Sequence, residues 1–154
     1  MPSTLMGEGM ARSEFDVIIV GGGPAGLCAA MYAGRGLLHS VLIERGVPGG
    51  ELLNTEWIDD YPGFEHVLGR QLADLMTAHA VKFGADIRQD TVESIVRGED
   101  EIFQVTTGLG QIYRAPAVVL TSTHSAVSRI FLASAVCGGV RTLGIASNMG
   151  VKGI

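Results

Sequence analysis

The stretch Asp16-Val-Ile-Ile-Val20-Gly21-Gly-Gly23-Pro-Ala-Gly26-Leu-Cys-Ala-Ala30 constrains this chain more than any other. A short apolar, β-branched run reaches glycines spaced G-x-G-x-x-G and passes directly into Ala-rich, helix-favouring sequence. Ser40-Val-Leu-Ile-Glu44 then reads as a second strand ending in a carboxylate, about 20 residues beyond the glycines, as a dinucleotide-holding strand–turn–helix–strand unit requires. Each residue has a physical task. Gly21 permits the tight turn out of the strand. Gly23, without a Cβ, admits the close approach of a pyrophosphate, and Gly26 lets the helix lie close to the strand. Pro24 suits the first helical turn, where its missing N–H costs nothing. The free N–H groups and positive dipole end of that helix suit a diphosphate. Glu44 can accept hydrogen bonds from ribose hydroxyls. The competing reading is a Gly-rich turn in an ordinary α/β protein with an incidental surface Glu; the complete context favours the dinucleotide.

The remaining sequence continues in the same α/β manner. The pattern predicts a buried strand at 15–20, a helix over about 24–36 and a strand over about 40–44. Residues 46–69 read as a long loop, which in a compact domain points to function, and its aromatics Trp57, Tyr61 and Phe64 are expected to pack. An amphipathic helix is predicted over 69–83, ended by Gly84, and Ile87 opens a third strand. Runs at 91–97, 101–107 and 111–114, separated by Gly98-Glu-Asp100 and Gly108-Leu-Gly110, form an antiparallel meander. Ala117-Val-Val-Leu120 is another buried strand. Residues 1–13 read as a loose tail, 14–122 as one domain, and 123–154 as an atypical segment.

Composition narrows the classes of function. The 154 residues are 47% hydrophobic with 22 glycines, which fits a turn-rich α/β domain. The net charge of −5 and the lack of a basic cluster exclude a nucleic-acid surface. No apolar run approaches the ~20 residues of a membrane span. The first ten residues lack the basic and apolar regions of a secretion signal, so a cytoplasmic location is expected. Cys28 and Cys137 form neither a C-x-x-C pair nor a metal-ligand spacing. Cys28 is expected to be a small buried thiol and Cys137 a free, poorly activated one. His79 shares a helical face with Leu72, Met76 and Phe83 and is expected in or beside the core.

With these elements in order, the chain resembles the FAD-binding part of the low-molecular-weight thioredoxin reductases and their relatives with two dinucleotide-binding domains. The likeness rests on Asp16–Ala30 with Met31-Tyr-Ala-Gly-Arg35, on Val41-Leu-Ile-Glu44, on Pro48-Gly-Gly-Glu-Leu52, on Ile58-Asp-Asp-Tyr-Pro-Gly-Phe64, and on Lys82-Phe-Gly-Ala-Asp86. It implies a Rossmann-like three-layer α/β FAD/NAD(P)-binding domain, with a parallel sheet and a small antiparallel meander, incomplete relative to the family. It implies FAD as cofactor, with Gly21, Gly23 and Gly26 at the pyrophosphate and Glu44 at the adenosine ribose. Gly49, Gly50, Glu51 and Leu52 would run along the ribityl chain and flavin, with Asp60 beside the flavin. Pro24, Ala25, Arg45, Asn54, Val92 and Thr121 complete the implied cofactor contacts. Two departures stand out: Glu51 replaces the family's Gln and Asp60 its Asn. Each exchanges an amide donor for a group that only accepts when ionised.

The likeness stops after 117–120. The family has an Ala-Thr-Gly turn beside the flavin; here Thr121-Ser-Thr123 puts a β-branched residue at the glycine position. The family's NADPH domain, its Cys-x-x-Cys and its closing segment have no counterpart in residues 124–154, so a truncated or frame-altered gene product is the expectation. The implied function is the FAD-binding portion of an NAD(P)H-dependent thioredoxin reductase-like oxidoreductase. No catalytic residue of its own is assigned, and disulfide reduction by this chain alone is not expected. The alternative is a stand-alone FAD- or nucleotide-binding module, paired in a homodimer or with a partner chain that supplies the missing segments. An NAD-binding domain of a dehydrogenase is a third reading, disfavoured by residues 48–64.

Overall fold

The structure, a computed structural model, describes residues 13–121 together with the backbone of 132–133. Strand β1 (Val17–Val20) is buried along its whole length, because it has a strand on each side and a packed layer on each face. It pairs in parallel with β2 (Ser40–Glu44), Val17 opposite Ser40, and with β9 (Ala117–Leu120), Val17 opposite Ala117. Strand β5 (Asp86–Gln89) adds to the far side of β2, giving a four-stranded parallel sheet in the order β5-β2-β1-β9. The β-branched run at 17–20 suits such a doubly covered strand.

The strand period of two divides the core into two faces. Val17, Ile19 and Leu42 pack with Leu27, Ala30 and Ala80 of helices α1 (Pro24–Arg35) and α2 (Gly69–Lys82). Ile18, Val20, Val41 and Ile43 point the other way. They pack against Ile95, Val105, Tyr113 and Ala115 of an antiparallel meander formed by β6 (Val92–Arg97), β7 (Phe103–Thr107) and β8 (Ile112–Ala115). The domain is therefore three layers: helices, parallel sheet, meander. A two-residue strand, β10 (Leu132–Ala133), pairs in parallel with β6.

A polar fastener joins the meander to the parallel sheet. The Arg88 guanidinium, on β5, donates from Nε and Nη2 to the Asp86 carboxylate and lies over the rings of Phe15 and Tyr113, 5.4 and 5.2 Å from their centroids. Its hydrogen bond to Asp86 holds it above the usual arginine range, while burial works in the opposite direction.

Most predicted elements are present, and several expectations are corrected. The first strand begins at Val17 rather than at residue 15: the Phe15 N–H donates to the Arg114 carbonyl, drawing residues 14–15 toward the meander. Residues 46–69 are not merely loop. They contain a 3-10 helix (Gly50–Asn54) and an antiparallel ribbon of β3 (Trp57–Ile58) and β4 (Val67–Leu68). Of the three aromatics there, only Tyr61 is half-buried; Trp57 is exposed and stacked on His66, and Phe64 is exposed beside Tyr61. Cys28 is exposed rather than buried, because α1 turns Gly26, Leu27 and Ala30 inward. His79 is exposed too: α2 buries Leu72, Ala73 and Ala80, leaving the imidazole against the Phe83 ring at its outer end. Of the expected tail at 1–13, residues 1–12 lie outside the described residues, as do Cys137 and Thr123, while Ser13 is fastened to the meander, its carbonyl accepting the Arg114 N–H at 2.8 Å.

Candidate functional site

The site forms where β1 and β2 end and α1 begins. The chain leaves β1 at Gly21, whose φ of 104° is the left-handed conformation that glycine tolerates. Its N–H is held by the Ile43 carbonyl at 2.9 Å. At Gly26 there is no room for a side chain: a Cβ would stand 1.9 Å from the Gly21 carbonyl oxygen and 2.8 Å from Thr121 Oγ1. Gly23 is the opposite case. A Cβ there would meet only the Gly50 Cα, at 4.0 Å, and its backbone is extended (φ −71°, ψ −178°). The protein itself does not require glycine at 23; the space over it is open. α1 begins at this point with Pro24 at its start, no side-chain cap and no acidic residue in its first turn. Its free N–H groups thus face the opening without internal competition.

Glu44 is tied closely into the turn. Its Oε2 accepts the Gly22 N–H at 2.6 Å and its Oε1 accepts the Gly46 N–H at 3.0 Å. A carboxylate offers about four lone-pair positions, so acceptor capacity remains for a diol. This arrangement explains a residue that sequence reasoning passed over. A Cβ on Gly22 would lie 2.9 Å from the Glu44 Cγ, so the middle glycine clears the way for the carboxylate. The available signal was a third consecutive glycine, one more than the motif needs.

The second glycine pair lies against the first. The Gly49 N–H donates to the Gly22 carbonyl at 2.7 Å, and a Cβ on Gly50 would come within 3.0 Å of the Gly23 Cα. Gly49 and Gly50 both have positive φ, 137° and 55°. Glu51, Leu52 and Asn54 follow on the 3-10 helix. Glu51 and Asn54 are exposed and Leu52 half-buried, and the Asn54 amide donates to Glu51 Oε2 at 3.4 Å. The side-chain oxygen of Thr121 lies 3.0 Å from the Val20 carbonyl oxygen and 2.9 Å from that of Gly21.

The structure brings most, but not all, of the predicted site residues together. Gly21, Gly23, Pro24, Ala25, Gly26, Glu44, Gly49, Gly50 and Thr121 are gathered at one end of the parallel sheet. Arg45 is exposed immediately after Glu44. Val92 starts β6 just after Asp90, whose N–H donates to the Glu44 carbonyl at 2.9 Å. Asp60 is exposed in the loop between β3 and β4, on a separate element. There the neighbouring Asp59 carboxylate contacts His66 Nδ1, and the His66 ring stacks on Trp57 with centroids 4.0 Å apart. Chemically, the gathered end can receive an anionic diester over Gly23 and a sugar diol at Glu44. Among the described residues no His, Cys, Asp and Glu cluster could hold a metal, and no helix is long and apolar enough to cross a membrane.

Known proteins share this architecture. The chain is 42% identical over 108 residues to a thioredoxin reductase of Bacillus subtilis, covering 70% of this chain and 34% of that one. It is 41% identical over 115 residues to a thioredoxin reductase of Listeria monocytogenes, covering 73% and 35%. Among solved structures, a thioredoxin reductase from Gloeobacter violaceus superposes with a TM-score of 0.68 at 35% identity, covering 73% of this chain and 37% of that one. The Lactococcus lactis thioredoxin reductase in its FR conformation gives 0.67 at 33% identity, covering 70% and 35%. The chain thus spans about a third of the length of the curated relatives it matches. The profile of the pyridine nucleotide-disulphide oxidoreductases matches residues 15–147, and the chain belongs to that family.

Proposed function

We propose that this chain is the FAD-binding portion of an NAD(P)H-dependent, thioredoxin reductase-like flavoprotein oxidoreductase. The observation that carries the reading is the open face of Gly23 at the uncapped start of α1, a cradle that one Cβ would fill. Here Gly21, Gly23, Pro24, Ala25 and Gly26 would bind the FAD pyrophosphate, main-chain N–H groups and helix dipole supplying the positive field. Glu44 would accept from the adenosine ribose, flanked by Arg45 and Val92. Gly49, Gly50, Glu51, Leu52, Asn54 and Asp60 would continue toward the flavin, and Thr121 would support the turn from below. When bound, the flavin supplies electron transfer between a nicotinamide and a disulfide; the residues described here bind and orient it. Residues 14–122 would form this FAD-binding unit, in the cytoplasm, with 1–13 and 123–154 outside it.

Cys28 and Cys137 are far apart in sequence, and Cys28 is exposed on the outer face of α1. Disulfide reduction would need a dithiol and a nicotinamide site that this unit does not provide, so the chain alone would not reduce thioredoxin. A second reading, a non-catalytic nucleotide-binding module completed by a homodimer mate or another chain, is favoured by one observation. Among the described strands, β5 and β9 are the two edges of the parallel sheet, and strand edges seek partners. Titration of the chain with FAD, followed by flavin fluorescence, tests the shared core of both readings. Saturable quenching supports it; none contradicts it. NAD(P)H-driven reduction of an artificial dye by the FAD-loaded chain then favours the oxidoreductase reading, and FAD binding without turnover favours the module.

A further inference from the structure

Thr121 occupies a junction that the glycine motif alone does not describe. It follows β9 directly and is 92% buried, with 8% of its surface exposed. Its N–H donates to the Val20 carbonyl at 2.9 Å, continuing the parallel pairing of β9 with β1. Its hydroxyl lies 3.0 Å from the same oxygen and 2.9 Å from the Gly21 carbonyl oxygen. A hydroxyl carries one proton. Since Val20 already has the Thr121 N–H as donor, the proton is best placed on Gly21. The same oxygen stands 2.8 Å from where a Gly26 Cβ would be. One side chain therefore bonds at the end of β1 and at the first peptide of the turn, from a residue 100 positions away in sequence, and fills the space that a side chain at Gly26, in the first turn of α1, would need. The resemblance puts an Ala at this position, and Ala can donate nothing.

We propose that Thr121 is a positioning residue, whose hydroxyl holds the Gly21 peptide and so keeps the turn amides and the start of α1 aimed at the bound pyrophosphate. The link to pyrophosphate rests on the FAD reading; the hold on the turn does not. The Gly21 N–H is bonded to the Ile43 carbonyl and the Gly22 N–H to Glu44, so their exchange with solvent reports local opening of the turn. The Val105 amide, in the meander core, reports opening of the domain as a whole.

The test compares the full chain with T121V, which keeps the shape and removes the hydroxyl, and T121S, which keeps the hydroxyl. Amide hydrogen exchange is read by NMR without ligand, and FAD affinity by fluorescence. The expected result is exchange at Gly21 and Gly22 about fivefold faster in T121V, with Val105 unchanged, full recovery in T121S, and FAD binding weakened by about the same factor. Should T121V not fold, T121A removes the hydroxyl without setting a methyl group against two carbonyls and is read the same way. Unchanged exchange at Gly21 and Gly22, an equal rise at Val105, or a T121S protein that behaves like T121V overturns the proposal. If the exchange pattern is as expected but the wild-type chain takes up no FAD, the hold on the turn stands and the FAD reading fails. If FAD binds and neither exchange nor affinity responds to T121V, the FAD reading stands and the positioning role fails.

Discussion

Gly23→Ala and Gly26→Ala should separate binding from folding at two glycines three residues apart. At Gly26 the added Cβ would sit 1.9 Å from the Gly21 carbonyl oxygen, far inside the 3.4 Å of ordinary contact, and the obstacle is backbone. Neither the turn nor α1 can yield without disturbing the pairing at the end of β1. Overpacking of this kind costs about 3 kcal/mol, which lowers a urea midpoint by roughly 2 M for a domain of this size. At Gly23 the new Cβ would meet only Gly50 Cα, at 4.0 Å, and the extended backbone there is one that Ala adopts freely. Restricting the unfolded chain stabilises, Ala is a poorer N-cap than Gly, and Gly23 is the N-cap of α1, so stability should stay within ~0.5 kcal/mol of the wild type. FAD affinity should behave differently. The Gly23 Cβ would project into the proposed pyrophosphate cradle and weaken binding roughly 10- to 100-fold. Urea unfolding of the ligand-free variants, followed by circular dichroism, and FAD titration of the folded ones measure both quantities. A Gly23→Ala protein as destabilised as Gly26→Ala, or one that binds FAD as well as the wild type, would refute the reasoning.

Other substitutions test other parts of the account. Glu44→Gln should cost about 1–2 kcal/mol in urea unfolding, because its single acceptor oxygen cannot satisfy both Gly22 and Gly46 N–H groups; unchanged stability would mean that those bonds do not hold the turn. Arg88→Lys should cost about 1 kcal/mol although it keeps the charge. It loses the fork onto Asp86 and the stacking over Phe15 and Tyr113, and a silent substitution in thermal unfolding would contradict the fastener between layers. Ile19→Ala should cost about 3 kcal/mol, since Ile19 is 1% exposed between the central strand and the helices; a cost below ~1 kcal/mol would argue against this packing.

Elements with local signals were legible in the sequence, and those held by distant contacts were not. Val17–Val20 announces itself by β-branched apolar residues beside glycine. The meander turns are marked by Gly98 and by Gly108 with Gly110, and α2 ends as Gly84 predicts, with φ 90°. The segment 46–69 shows no periodicity, since its strands are two residues long and its 3-10 helix is five. Its shape depends instead on docking: Gly69 leaves no space for a Cβ, which would stand 2.2 Å from the Leu52 carbonyl oxygen. Cys28 and His79 were misplaced because small or half-apolar residues surround both helices, and apolar periodicity cannot then say which face turns inward. At the site, the glycine turn and Glu44 were readable as a motif. The seating of Gly49 and Gly50 on that turn, and the Thr121 hydroxyl beneath it, were not, because they join residues whose separation in sequence follows no repeat.

The central claim is that the gathered end of the parallel sheet holds FAD. It is tested most directly by the visible absorption spectrum of the purified, desalted chain, with any released cofactor identified by mass. The expected result is a flavin spectrum that survives desalting, or is restored by added FAD, with FAD as the released species. A colourless protein that remains colourless after incubation with FAD and desalting, while its circular dichroism shows a folded α/β domain, would contradict it.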